Sequence, residues 1–90
     1  MHIRNVLIKN RSGLHARPAS EFAACAAKFQ SKITVRNVNE EDDVNAKSVM
    51  LILTLGLGQG DEIVITAKGG DETEAVDALA ALVESKFGEE

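Results

Sequence analysis

Gly13-Leu14-His15-Ala16-Arg17-Pro18-Ala19 joins a strand-like run to an alanine-rich one, and it marks where the first helix begins. Proline belongs in the first turn of a helix, where its missing N–H has no intrahelical partner to lose. Pro18 therefore places the helix start close to Ala16 and leaves His15 at or beside the N-cap. That position ordinarily carries Ser, Thr, Asp or Asn. A histidine there calls for a reason. The first helical turn offers unpaired backbone N–H groups and partial positive charge, which together favour an anion. A neutral imidazole nitrogen is a nucleophile able to form a covalent intermediate. A phosphoryl group taken up by His15 would set its oxygens against the backbone N–H groups near Ala16 and Arg17. Arg17 adds a permanent positive charge and donors shaped for phosphate. A lone histidine beside an arginine is more often plain surface. Here glycine turn, helix start, proline and arginine coincide, and the chemical reading is preferred.

Outward from this stretch, strand and helix signals alternate. His2 to Lys9 reads as a strand with Val6 and Ile8 on one face, and Asn10 to Gly13 is turn-rich. From Ala16 to Phe29, Ala19, Phe22, Ala23, Ala26 and Phe29 form one helical stripe. Ile33 to Val38 is a β-branched strand with Ile33 and Val35 on a shared face. Asn39-Glu40-Glu41-Asp42 is an exposed turn before a short strand at Asp43 to Asn45. The apolar run Ser48 to Leu53 suits a short helix or a buried strand. Asp61 to Ala67 is a strand with Ile63 and Ile65 inward. Gly69-Gly70 then breaks the chain, and Asp71 with Glu74 resembles a capping box opening a last helix. Ala75, Val76, Leu79, Leu82, Val83 and Phe87 recur along it, and Lys86 suits its C-terminal dipole. With Ser48 to Leu53 counted as a short helix, the order is βαββαβα, an α+β fold with helices on one sheet face. Periodicity leaves the strand order open.

Composition narrows the function classes. Ninety residues with 44% hydrophobic content read as one domain, 1–90, whose core is mainly aliphatic because only three phenylalanines supply rings. A net charge of -4 and a pI near 5.1 argue against nucleic acid as a partner. Cys25 is the only cysteine, so no intrachain disulfide forms and a reducing, cytoplasmic setting is expected. Its place in the alanine-rich helix reads as packing rather than reactivity. No apolar run suggests a signal peptide or membrane insertion, and two distant histidines with one cysteine argue against a metal site.

The stretch 13–19 resembles the active-site motif of the HPr family, the histidine-containing phosphocarriers of the bacterial phosphoenolpyruvate-dependent sugar phosphotransferase system. Asn45-Ala46-Lys47-Ser48-Val49-Met50 resembles the family's regulatory-serine segment, and Leu55-Gly56-Leu57-Gly58-Gln59-Gly60-Asp61-Glu62 its glycine-rich lead into the last strand. The resemblance implies an open-faced β-sandwich, with four antiparallel strands in the order 1-4-2-3 and three helices on one side, Ser48 to Leu53 being the short one. It also implies a carrier rather than a self-contained enzyme. Phosphorylated Enzyme I would load His15, through Nδ1 by analogy, and His15 would pass the group to enzyme IIA domains for sugar uptake. Arg17 would stabilise the phosphoryl charge. A monomer with no metal or organic cofactor is expected, since positioning and electrostatics carry the transfer.

Ser48 has two compatible readings. It can cap the short helix. By resemblance it can also be phosphorylated by an HPr kinase/phosphorylase, slowing His15 phosphorylation and promoting binding to a catabolite-control repressor. Leu51 stands where the family commonly has glycine, and so short a helix cannot bury apolar groups all round. Leu14, Met50, Leu51 and Leu55 thus form a candidate docking patch, against the alternative that Leu51 thickens the core. Two other functions stay open: a mainly regulatory binding module acting through Ser48, and an HPr-like carrier for a nitrogen-related or dihydroxyacetone-kinase branch. A hydrolase is disfavoured, because no acid–base partner for His15 is evident.

Overall fold

The computed structural model describes residues 1–88. The elements run β1 (His2–Leu7), α1 (Ala16–Ala27), β2 (Lys32–Asn37), β3 (Val44–Asn45), α2 (Val49–Thr54), β4 (Glu62–Lys68) and α3 (Glu72–Glu84), then a 3-10 turn at Lys86–Gly88. All strand pairs are antiparallel, and the sheet order is β1-β4-β2-β3. The open-faced sandwich with three helices is the architecture expected from the resemblance.

Register sorts the side chains by face, because residues directly opposite share one. Val6 opposite Ile63, Val35 opposite Ile65 and Ile33 opposite Ala67 point to the helices and are buried. Ile8 lies just beyond β1 and remains fully buried on that side. Ala19, Phe22, Ala23 and Ala26 of α1 close the core from above, with Ala75, Val76, Leu79, Ala80 and Val83 of α3. Alanines let two helices and a sheet approach closely, and Phe22 fills the centre. Phe29 falls after the helix but packs against the same cluster.

The ambiguous run after Ser48 is helical. Only Ile52 of α2 is buried. The Ser48 hydroxyl accepts from the Leu51 N–H at 3.3 Å, satisfying one of the orphan donors of the first turn. The extended backbone at Ser48 sets the turn that periodicity alone could not read.

Two local expectations need correction at α3. Asp71 is the N-cap, but its carboxylate does not cap its own helix. It accepts instead from the N–H groups of Gln30 and Ser31, each at 2.9 Å, and from the Ser31 hydroxyl. Glu74 is exposed, and it is Glu72 that reaches back to the Gly69 N–H, at 3.2 Å. The Asp71–Glu74 capping box is therefore absent, because the tertiary donors of Gln30 and Ser31 take the carboxylate in place of the helix's own N–H groups. The second correction concerns Lys86, which lies outside the helix in a left-handed conformation with φ +60° and cannot act as a last-turn cation. Phe87 shares that conformation and is still buried, so the turn folds it under the core.

Candidate functional site

His15 is the N-cap of α1, with extended backbone (φ -78°, ψ -172°) and a side chain that makes no capping bond. Its carbonyl accepts the first helical bond, from the Ala19 N–H at 2.7 Å. Pro18 has no N–H to offer. The N–H groups of Ala16 and Arg17 have no acceptor among the described residues, so two donors stay open beside an exposed imidazole. Serine or aspartate at this position would occupy one of them. Histidine leaves both for an anion.

The loop feeding His15 is braced from below. Gly13 has φ +62°, and a Cβ there would lie 2.5 Å from Gly58 Cα and 2.6 Å from the Leu57 carbonyl oxygen. Backbone passes so close to backbone that only glycine fits. The Leu14 N–H donates to that Leu57 oxygen at 3.0 Å, pinning the loop to the segment before β4. Asn10, fully buried, donates from its side-chain amide to the Gly13 carbonyl at 2.8 Å. Its Oδ1 is buried without a protein partner. Asn10 is a bracing residue that the sequence reading passed over as part of a turn; an Asx residue three positions before the glycine was the available signal.

Arg17 is 90% exposed, and its Nε stands 3.7 Å from Glu21 Oε1. This is a one-turn pair at spacing i, i+4, readable from sequence, and Glu21 was not singled out. The guanidinium is on the correct end of the helix and is held only by a weak exposed contact. His2 is less isolated from helix ends than its place in the first strand implies. Met1 carries an ammonium 2.9 Å from Glu72 at the head of α3, and His2 lies close enough to help lower the Glu72 pKa. That helix end, however, is already occupied by a carboxylate.

The proposed docking patch is reshaped. Leu14 is 3% exposed and belongs to the core, because the bond to Leu57 folds its side chain inward. Leu55 is half-buried against the core. Met50 and Leu51, 79% and 43% exposed, do face solvent, and Leu53 at 41% joins them. Leu51 therefore does not thicken the core. Cys25 is half-buried, and burial pushes its thiol up despite nearby Lys28, as suits a packing residue. Among the described residues no three potential ligands cluster for a metal, and no helix is long and apolar enough to cross a membrane.

Comparison with known proteins bears on this arrangement. A family model described as the PTS HPr component phosphorylation site matches residues 3–85. The chain is 48% identical over 87 residues to the phosphocarrier protein NPr of Proteus mirabilis (strain HI4320), covering 97% of this chain and 96% of that one. It is 39% identical over 90 residues to the phosphocarrier protein HPr of Treponema pallidum (strain Nichols), covering all of both. The crystal structure of HPr-C-His from Thermoanaerobacter tengcongensis superimposes with a TM-score of 0.93 at 51% identity, covering 100% of this chain and 99% of that one. Sequence and backbone thus agree over nearly the full length with proteins built around the same sheet order, and the chain belongs to the PTS HPr family of phosphocarriers.

Proposed function

We propose that His15 is the phosphoryl acceptor of this phosphocarrier and that Enzyme I of a sugar phosphotransferase system is its donor. The observation carrying this reading is the exposed, uncapped histidine at the head of α1 beside two unpartnered N–H groups. A His15 ring nitrogen, Nδ1 by family analogy, attacks phosphorus. The new N–P bond forms as the donor's bond to phosphorus breaks, and the donor leaves with that electron pair. The N–H groups of Ala16 and Arg17 receive phosphoryl oxygens, while the Arg17 guanidinium leaves Glu21 to neutralise developing charge. The reverse exchange hands the group to an enzyme IIA domain. Met50, Leu51 and Leu53 supply apolar contact beside the site, with Leu55 at its buried margin. The carrier acts as a monomer in the cytoplasm, and Ser48 is open to a regulatory kinase.

The 48% identity to a protein named NPr favours one second reading, service in a nitrogen-related branch. Incubation with phosphoenolpyruvate and either a sugar-system or a nitrogen-branch Enzyme I, followed by intact-mass and acid-lability measurements, separates them. The sugar-system enzyme should load one acid-labile phosphoryl group onto the wild type and none onto His15→Ala. Loading only by the other enzyme moves the protein to the second reading. Acid-labile phosphate on His15→Ala removes His15 from the role.

A further inference from the structure

The face of the sheet turned away from the helices carries an arrangement that phosphoryl transfer at His15 does not use. Lys32 of β2 and Lys68 of β4 are directly opposite in register. Their Cα atoms are therefore about 5 Å apart. Like charges directly opposite destabilise a strand pair. Neither lysine has an ion-pair partner among the described residues. Both strands are interior to the sheet order, so Lys68 does not guard an edge, while the β3 ladder beside β2 reaches only Thr34 and Val35.

What surrounds the pair gives the repulsion a use. Thr34 and Thr66, again directly opposite, form the next row on the same face. Two residues along a strand is about 7 Å. Lys47, at the β3 side, donates to the Phe29 carbonyl at 2.8 Å and keeps its charge at the same end. A shallow groove of about 540 Å³ runs over Lys32, Thr34, Asp43, Asn45 and Lys47, and a smaller one of about 220 Å³ continues it over Thr66, Lys68 and Met1. The one carboxylate facing the groove, Asp43, stands 3.7 Å from Arg36, and the Met1 ammonium is turned to Glu72. Two free ammonium groups followed by two hydroxyls match an elongated anion with more than one phosphate group better than a single phosphate.

We propose that this groove is a binding site for a free di- or oligophosphate anion, distinct from the helix-start site. The two ammonium groups hold one end of the anion and the Thr34 and Thr66 hydroxyls donate to the other. Binding relieves the Lys32–Lys68 repulsion, so the ligand stabilises the sheet. The lysine end of β2 and β4 adjoins the C-terminal end of α1. Twelve helical residues, about 18 Å, separate that end from His15. The site is accessible whether or not His15 carries a phosphoryl group.

Inorganic pyrophosphate is the probe. Thermal unfolding is measured in pyrophosphate and in sodium chloride of equal ionic strength for the wild type, for Lys32→Gln/Lys68→Gln and for His15→Ala/Arg17→Ala. Binding to the native state raises the midpoint. The rise should appear in the wild type and in His15→Ala/Arg17→Ala. In Lys32→Gln/Lys68→Gln the affinity should fall by about ten-fold or more, as expected for lost charged hydrogen bonds. Saturable movement of the Thr34, Thr66 and Lys68 amide resonances of the wild type gives a second reading that no variant's folding can disturb. No rise in the wild type beyond the chloride control overturns the proposal. So does a rise kept in the lysine variant but lost in His15→Ala/Arg17→Ala, which would assign the anion to the helix start.

Discussion

His15 at the N-cap of α1 and Arg17 in its first turn stand two residues apart, and their surroundings suit the separate roles proposed for them. The histidine contributes an exposed ring and leaves the donors of Ala16 and Arg17 open; the arginine contributes charge that Glu21 holds loosely. Arg17→Ala should slow transfer from Enzyme I about ten- to a hundred-fold, the value of a charged hydrogen bond realised at the transition state. Its stability should change by no more than about 0.5 kcal/mol, because an exposed one-turn ion pair is worth little. Stopped-flow transfer and urea unfolding read the two quantities separately. Gly13→Ala should behave in the opposite way, losing about 1–3 kcal/mol through the positive φ alone, with more from the contact with Gly58. The helix start was legible at this scale because proline and capping chemistry act within one turn. The burial of Leu14 was not, since it depends on a carbonyl at Leu57.

α2 shows what an element of six residues can and cannot carry. Its apolar run fits a strand or a helix, and the Ser48 cap together with the single buried residue Ile52 marks the outcome. Ser48→Ala should cost about 1 kcal/mol, read by urea unfolding. Ser48→Asp keeps a good cap, so its stability should stay near that of the wild type. If Ser48 is also a switch, added negative charge near Met50 and Leu51 should slow Enzyme I-dependent phosphorylation of His15 in that variant. Equal rates for Ser48→Asp and wild type would leave capping as the whole role. Leu51 at the surface makes the exposed side of α2 more apolar than a glycine there would.

Across the molecule, Asp71 ties the turn between α1 and β2 to the start of α3 through Gln30 and Ser31, 41 and 40 residues away in sequence. Gly69 makes the approach feasible, since a Cβ there would lie 2.6 Å from Ser31 Oγ. The Ser31 hydroxyl first, then the Gln30 N–H, hold the Asp71 carboxyl below its ordinary value of 3.8. A carboxylate whose folded pKa is depressed stabilises the native state above its unfolded value, and that contribution disappears as pH falls through the folded one. Asp71→Asn should therefore unfold at a lower temperature than the wild type at neutral pH. The two midpoints should converge as acid protonates the wild-type carboxyl below 3.8. Parallel curves down to the lowest pH at which both fold would show that the tie is not ionic.

Local physics was sufficient for what the sequence by itself determined: the start of α1 near Ala16, the histidine left at its N-cap position, the inward pairs Ile33/Val35 and Ile63/Ile65, and the order of elements apart from α2. Each rests on residues within a turn of helix or a few positions of strand. Resemblance supplied the strand order, which periodicity leaves open. Tertiary structure alone decided that Leu14 is core and Leu53 surface, that Asp71 serves the turn before β2 instead of its own helix, and that Lys32 faces Lys68. The physical reason is common to all three. Burial, the choice between competing hydrogen-bond donors, and cross-strand register depend on partners distant in sequence, and no local pattern carries that information.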